Sequence, residues 1–389
     1  MFKVTFAFEN GSTVEAFANA GDNLLEVARS ANVAIDAPCS GNGACGKCRV
    51  QLKSGELESK KTLHISDEEY QAGWRLSCCS KISADVNVLV PDIASAYKSR
   101  MKVADLSSKE EIAIFENAKS DIQLAGIELK NSLEVVDVLM DVPSLDDTMP
   151  DNERLTRALR KYLNINRVRI PYVVLKKLPD VLRENNFAVK CVIRATSDDM
   201  YVYDIFGKDE DVVIGGLAID IGTTTVSAVL INMENGEILA KSSAGNGQIR
   251  FGADVINRIV ESQKPGGQKK LQDAVIKETI NPMIHEMCKS AKFPKDHIYR
   301  MCVASNTTMN HLFAGINADP LRTEPYIPAF FKTNSLFASD VGVDINKDAH
   351  IIMAPNIGSY VGGDITAGTL VSQIWNRPEF SLFIDLGTN

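Results

Sequence analysis

The chain of 389 residues contains no uncharged apolar run near the roughly 18 residues needed to cross a bilayer, so no membrane association is expected. Positive charge is in deficit. Forty-two Lys and Arg against 50 Asp and Glu give a net charge of −8, which disfavours nucleic acid and anionic membrane as partners. The opening stretch, MFKVTFAFENGSTVEAF, lacks the basic start and apolar block of a signal peptide, and a cytoplasmic location is the expectation. Eight cysteines are too few for a disulfide scaffold at this length. Three of them, Cys191, Cys288 and Cys302, are scattered through apolar segments and read as buried core thiols. The other five crowd between Cys39 and Cys79, which in a reducing compartment points to metal binding or catalysis.

The crowded stretch is PCSGNGACGKC, residues 38–48, with a further cysteine at Cys78, a spacing of C-x5-C-x2-C-x29-C. Its context is a strand from Lys3 to Phe8, an Asn10-Gly11 turn, and a strand from Thr13 to Phe17. A helix capped by Asp22 follows, with Leu24, Leu25, Val27, Ala28 and Ala31 on its apolar side. A zinc ribbon prefers two C-x2-C pairs, and only Cys45 and Cys48 make one. Two irons bridged by sulfide need four thiolates and inward-pointing amides, which Gly41, Gly43 and Gly46 allow the backbone to supply. A [2Fe–2S] cluster is the expectation; zinc and inert thiols are the alternatives. Residues 1–93 resemble the plant- and vertebrate-type ferredoxin domain, and that resemblance makes Cys39, Cys45, Cys48 and Cys78 the cluster ligands. Cys79, in a strand, would face away from Cys78, and a swap between the two stays open.

Residues 94–124 read as a linker and a helix: Ser107-Ser108 with Glu110-Glu111 is a capping signature for a helix ending near Leu124. Residues 125–206 read as a small α+β domain, with strands at Leu133–Val142 and Val189–Arg194 and a charged helix at Asp151–Leu163.

Residues 207–389 carry phosphate-loop signals. LAIDIGTTTVSAVLINMENGEILA, 217–240, is a buried strand ending at Asp220, a glycine turn with three threonines, and a returning strand. A Walker loop would lead into a helix and contain Gly-Lys; this turn does neither. Its tip, Gly222 to Thr225, offers amides and hydroxyls to phosphate, and Asp220 is placed to hold hydrated Mg²⁺. FIDLGTN, 383–389, repeats the theme with Asp385, Gly387, Thr388 and Asn389. Gln248 and Asp254, and the polar turn Ser305–Thr308, are further candidates for the same cleft. His285, Cys288 and His311 read as core or surface side chains, with no third ligand nearby.

The paired loops resemble those of the actin, sugar kinase and heat-shock ATPase superfamily, and by position Asp364 would orient the attacking water. The whole chain resembles the reductive activators of corrinoid-dependent enzymes. The carrying residues are Val142-Pro143 through Arg154-Leu155, Asp220 to Thr225, Gly252-Ala253-Asp254, Asn306 to Met309, and Asp385 to Asn389. The implied fold is α/β and multidomain: a β-grasp ferredoxin domain, a small α+β middle domain and the first half of an actin-like, RNase H-like ATPase domain. The implied activity is ATP- and Mg²⁺-dependent transfer of one electron from the cluster to an inactive Co(II) corrinoid protein, restoring Co(I). An upstream electron donor is implied as well, and a homodimer is compatible with the sequence. Because the sequence stops within the second loop, the resemblance implies weak ATP binding by these residues alone. Two readings from other classes are a nucleotide-gated, chaperone-like module with a structural or sensing cluster, and a plain electron-transfer protein. A small-molecule kinase would have no use for a ferredoxin domain.

Overall fold

A computed structural model describes residues 1–8, 13–31, 33, 35, 37, 41, 43, 46–91, 109–129, 132–163, 165–196, 198–252, 254–333 and 336–385. Among the described residues three larger sheets, each with its own apolar cluster, and one two-stranded pair organise the fold.

The first sheet has the order β2-β1-β7-β3-β5. Its strands are β1 (Phe2–Phe8), β2 (Thr13–Ala18), β3 (Arg49–Ser54), β5 (Trp74–Leu76) and β7 (Val86–Val90). A short pair, β4 (Leu57–Ser59) and β6 (Ser80–Ile82), lies outside it. Period-two alternation sends Val4 and Phe6 of β1 inward, both fully buried, against Leu24 and Ala28 of α1 (Leu24–Ser30). Each such large side chain contributes roughly 1.5–3 kcal/mol on burial. The helix cap differs from expectation. Asn23, one residue beyond Asp22, accepts from the amides of Leu25 and Glu26 at 3.0 and 3.4 Å, while Asp22 accepts from the Asn19 amide at 2.7 Å. The Asn23 amide group also donates to the Cys78 carbonyl at 2.8 Å, a second bond that Asp22 could not make, because a carboxylate has no N–H. A five-residue helix, α2 (Asp67–Gln71), carries a Ser66/Glu69 capping box.

Beyond α3 (Lys109–Leu124), the second sheet has the order β8-β10-β11-β9. It is built from β8 (Leu133–Leu139), β9 (Arg167–Arg169), β10 (Ala188–Ala195) and β11 (Asp199–Gly207), with α4 (Asp151–Leu163) and α5 (Tyr172–Glu184) over one face. β8 stops three residues short of the expected Val142. The fully buried Arg154 of α4 draws the departing loop onto itself, donating to the carbonyls of Asp141 and Asp147 at 3.0 Å each and to the Asp147 carboxylate at 2.7 Å. The Val-Pro…Arg-Leu pattern is therefore a loop anchored on a buried guanidinium, which holds the Asp147 carboxyl below its usual range.

The third sheet has the order β14-β13-β12-β15-β17-β16. β12 (Gly215–Ile221), β13 (Thr225–Asn232) and β14 (Ile238–Gly245) form an antiparallel meander, and β15 (Ile298–Ser305) and β17 (His350–Met353) continue it in parallel from β12. The edge strand is β16 (Leu336–Phe337). Between β14 and β15 lie α6 (Val255–Ser262), α7 (Gly267–Val275) and α8 (Asn281–Ala291); α7 and α8 are joined through a π-helical turn at Ile276–Ile280. Their apolar faces cover one side of the sheet, where Leu217, Ile219, Met301 and Val303 are buried. α9 (Thr307–Ala314), α10 (Ala338–Val341) and α11 (Gly363–Ser372) complete the chain. Alternation leaves Ala218, Cys302 and Ile352 exposed on the sheet's other side. Of the three scattered thiols, Cys191 is thus buried, Cys288 half-buried and Cys302 exposed, because residue 302 falls on the uncovered face.

Among the described residues no helix is long and apolar enough to cross a membrane.

Candidate functional site

The first candidate site gathers around the cysteines. The Sγ atoms of Cys48, at the entrance to β3, and Cys78 lie 3.2 Å apart. Contact with Cys78 lowers Cys48 to about 6, and the same contact, with burial and the Cys48 charge, pushes Cys78 up, so the pair retains one proton between them. Cys78 and Cys79 do not stand on a strand. Ser77–Cys79 is a 3₁₀ turn, and their sulfurs are 3.6 Å apart, side by side instead of on opposite faces. Gly41, Gly43 and Gly46 all take the left-handed conformation, φ 92°, 74° and 66°. A Cβ at Gly43 would come within 3.1 Å of the Cys79 sulfur, so Gly43 passes close to that thiol. Cys39 and Cys45 lie outside the described residues, as do Asn10-Gly11 and Ser107-Ser108. Among the described residues no group of three or more His, Cys, Asp or Glu side chains could hold a metal ion. A thiol–thiolate pair beside glycines in the left-handed conformation nevertheless fits part of the donor set an iron–sulfur cluster requires.

The second candidate site is a cleft of about 530 Å³ at the C-terminal end of β12. Asp220, Gly222, Thr223, Thr224 and Thr225 line it together with Asn306, Tyr360, Asp364 and Asp385. The three carboxylates named from the sequence therefore converge. Burial, and then the charges of Asp364 and Asp385, raise Asp220 to about 6; burial also raises Asp364. The three do not close into a direct ligand set for a metal ion, but their summed charge makes the cleft electronegative. Gly387, Thr388 and Asn389 lie outside the described residues.

Neighbouring segments hold the threonine turn in shape. The Gly222 amide donates to the Thr225 carbonyl at 2.9 Å, closing the hairpin. Asn246 donates from its side chain to the Gly222 carbonyl and from its backbone to the Thr224 carbonyl, both at 2.8 Å. Arg258, fully buried on α6, donates to the carbonyls of Thr223 and of Gly252, the latter at 2.9 Å, and to the Gln248 side chain at 3.2 Å. Gln248 and Asp254 do not line the cleft. Gln248 is buried behind the turn, and Asp254 caps α6 through the Asn257 amide at 2.8 Å. Ala253 lies outside the described residues. Of the Ser305–Thr308 turn only Asn306 reaches the cleft, where it also caps α9 by accepting from the Met309 amide at 2.9 Å.

Asp364 reaches the cleft because two glycines precede it. A Cβ at Gly362 would sit 2.3 Å from the Asn306 Cα, and one at Gly363 would sit 2.5 Å from the Ala354 carbonyl. Asn246, Arg258 and Tyr360 were not singled out in the sequence. Asn246 and Arg258 act through backbone carbonyls distant along the chain, and no local pattern marks such a role. His285 is exposed on α8, 3.8 Å from Asp344. His311 is fully buried, with Nδ1 against the Thr307 carbonyl at 2.7 Å and Nε2 accepting from the Ala329 amide at 3.0 Å, so it is a core histidine.

These features define a class: a ferredoxin-type iron–sulfur domain in one chain with a nucleotide fold of the actin and heat-shock kind. Residues 7–83 match the 2Fe-2S iron-sulfur cluster binding domain, residues 122–212 the RACo linker region and residues 215–377 the RACo middle region. Through these two regions the chain matches the RACo family. It is 28% identical over 368 residues, 94% of this chain, to the corrinoid activation enzyme RamQ of Eubacterium limosum, of which it spans 55%. A solved structure titled as a reductive activator for corrinoid, iron-sulfur protein is 32% identical and superposes on the whole chain with a TM-score of 0.60; the match covers 60% of that protein. A 75-residue segment, 19% of the chain, is 39% identical to 18% of one component of the Na⁺-translocating NADH-quinone reductase of Actinobacillus succinogenes. The chain thus spans somewhat more than half the length of the two relatives it matches throughout.

Proposed function

We propose that this chain serves in ATP-dependent reductive activation of a corrinoid protein, passing one electron to an inactive Co(II) centre and restoring Co(I). The carrying observation is the presence, in one chain, of a thiol pair in an iron–sulfur domain and a cleft where Asp220, Asp364 and Asp385 surround a glycine-threonine turn. The relatives named above, an enzyme of corrinoid activation and a reductive activator, support the same reading.

In this reading Cys39, Cys45, Cys48 and Cys78 hold a [2Fe–2S] cluster, which supplies single-electron chemistry. Cys48, already lowered to about 6, is ionised at neutral pH and ready to bind metal, while Cys78 gives up its proton on loading. In the cleft the amides and hydroxyls of Gly222 to Thr225 receive phosphate oxygens, with Gly387, Thr388 and Asn389 doing the same from the second loop. Asp220 and Asp385 hold hydrated Mg²⁺, and Asp364 orients the water that attacks the terminal phosphate. Nucleotide can drive an uphill electron transfer only by binding two states of the complex with different affinity, so ATP must favour the docked arrangement in which cobalt is reducible.

The test is anaerobic purification of the full-length protein, an absorption spectrum and iron count, then reduction of a Co(II) corrinoid protein with and without MgATP. About two irons per chain and reduction that proceeds only with ATP are expected. Equal reduction without ATP would overturn the coupling, and iron-free protein would overturn the electron path.

A further inference from the structure

We propose that the corner where the second sheet meets the third, formed by Arg194, Arg300, His350 and Tyr203, is a binding site for a phosphate-class oxyanion. It is separate from the nucleotide cleft, whose lining includes none of these residues.

Strand register builds the corner. In the third sheet Arg300 of β15 is the direct cross-strand partner of His350 of β17. In the second sheet Arg194 of β10 is the direct partner of Tyr201 of β11, and Tyr203 follows two residues on, on the same face. The two pairs face each other across the seam: Arg194 Nη1 lies 3.3 Å from His350 Nε2, and the rings of Tyr203 and His350 are 6.3 Å apart. Four groups from four strands thus meet at one place.

Their charge is uncompensated. Among the described residues Arg300 donates to the Ser132 hydroxyl, at 2.9 Å, and Arg194 contacts the His350 imidazole. Among the described residues neither guanidinium makes an ion pair. The Nε atoms of both are buried without a partner, and so is the hydroxyl of Tyr203, a residue 1% exposed. A carboxylate, Asp348, lies near Tyr201 and Tyr203 without an ion pair to either guanidinium among the described residues, and burial raises it. Burial and the charge of Arg194 lower Arg300, and burial with both arginines lowers His350 to about 4, as expected where two guanidiniums crowd an imidazole at a half-buried corner. Two arginines offering forked donors, with no carboxylate engaged, match a dianionic tetrahedral oxyanion in charge and in donor number better than a single carboxylate. The site would clasp the second sheet to the third when filled.

The experiment is calorimetric titration of inorganic phosphate, and separately of glycerol phosphate, into the full-length protein near pH 7.5. Three variants are compared: Arg194→Gln, Arg300→Gln, and Lys289→Gln on the exposed side of α8, remote from both sites. Each arginine change is expected to weaken phosphate at least tenfold, and Lys289→Gln to leave it unchanged. Tenfold tighter glycerol phosphate would assign the site to an ester, and equal affinity to inorganic phosphate. A second readout, independent of binding heats and of variant folding, follows the His350 ¹³Cε1 resonance in wild-type protein, assigned with His350→Gln. Phosphate is expected to move its titration upward, toward the usual histidine range. Phosphate binding that survives both arginine changes, or a His350 titration that phosphate does not move, would overturn the proposal.

Discussion

At the residue scale, Asp220 carries the conflict between stability and function. In the folded protein it binds its proton up to about pH 6, whereas an unfolded chain releases it near 3.9. The folded state therefore holds more protons through that window, and stability falls as pH rises from about 4 to 6, with the full deficit present at pH 7. Asp220 is exposed at the end of its strand, so solvent screening leaves on the order of 1 kcal/mol of this shift as stability. Asp220→Asn is accordingly expected to stabilise metal-free protein at pH 7 by about 1 kcal/mol and to have little effect at pH 4. Urea titrations at the two pH values check this. Added Mg²⁺ should stabilise the wild type and leave the variant unaffected. The place of Asp220 at the end of its strand, beside the threonine turn, was legible in the sequence because a strand ending in Asp-Ile-Gly-Thr is a local pattern. The role of Arg258 was not: it acts on the Thr223 carbonyl from the far side of α6, and an arginine in an amphipathic helix reads as a surface residue until packing shows it fully buried.

At the element scale, the start of α11 is set by how closely it approaches the end of β15. Gly362 has an ordinary backbone conformation, φ −94°, so crowding and not backbone strain requires glycine there. Gly362→Ala forces a methyl group against the Asn306 Cα and the Ser305 carbonyl, both rigid backbone. A loss of at least about 1–3 kcal/mol is expected, together with displacement of Asp364 from the cleft. Gly358→Ala is the control, since its Cβ meets nothing within 4 Å. Equal denaturation midpoints for the two variants would refute the crowding account. Helices α3, α4 and α11 and the β12–β13 hairpin could be read from pattern alone. The C-terminal end of β8 and the cap of α1 could not. Each was decided by a partner far along the chain: Arg154 gathering the loop after β8, and the Cys78 carbonyl selecting Asn23 over Asp22.

At the scale of the whole molecule, the second and third sheets share a small apolar seam of Leu133, Val192, Tyr203, Val212, Ile214 and Tyr299. Tyr299 is fully buried there, its ring 5.6 Å from that of Tyr203 and its hydroxyl 3.4 Å from the Asp204 carboxylate. Tyr299→Ala is expected to cost about 3–5 kcal/mol, the range for removing a large buried aromatic side chain. It should also part the sheets, so that trypsin cuts more readily at Lys208 in the exposed connection between them. Unchanged cleavage there would show that the seam does not hold the sheets together. The sequence by itself determined the order of modules, the cysteine spacing and the two carboxylate loops, because each is written in neighbouring residues through local periodicity and turn chemistry. Only the tertiary structure decided that three carboxylates share one cleft, that Cys79 stands beside Cys78, and that two arginines meet unpaired at a seam. Those are distances between segments far apart in the chain, fixed by strand register and packing, and no local pattern encodes them.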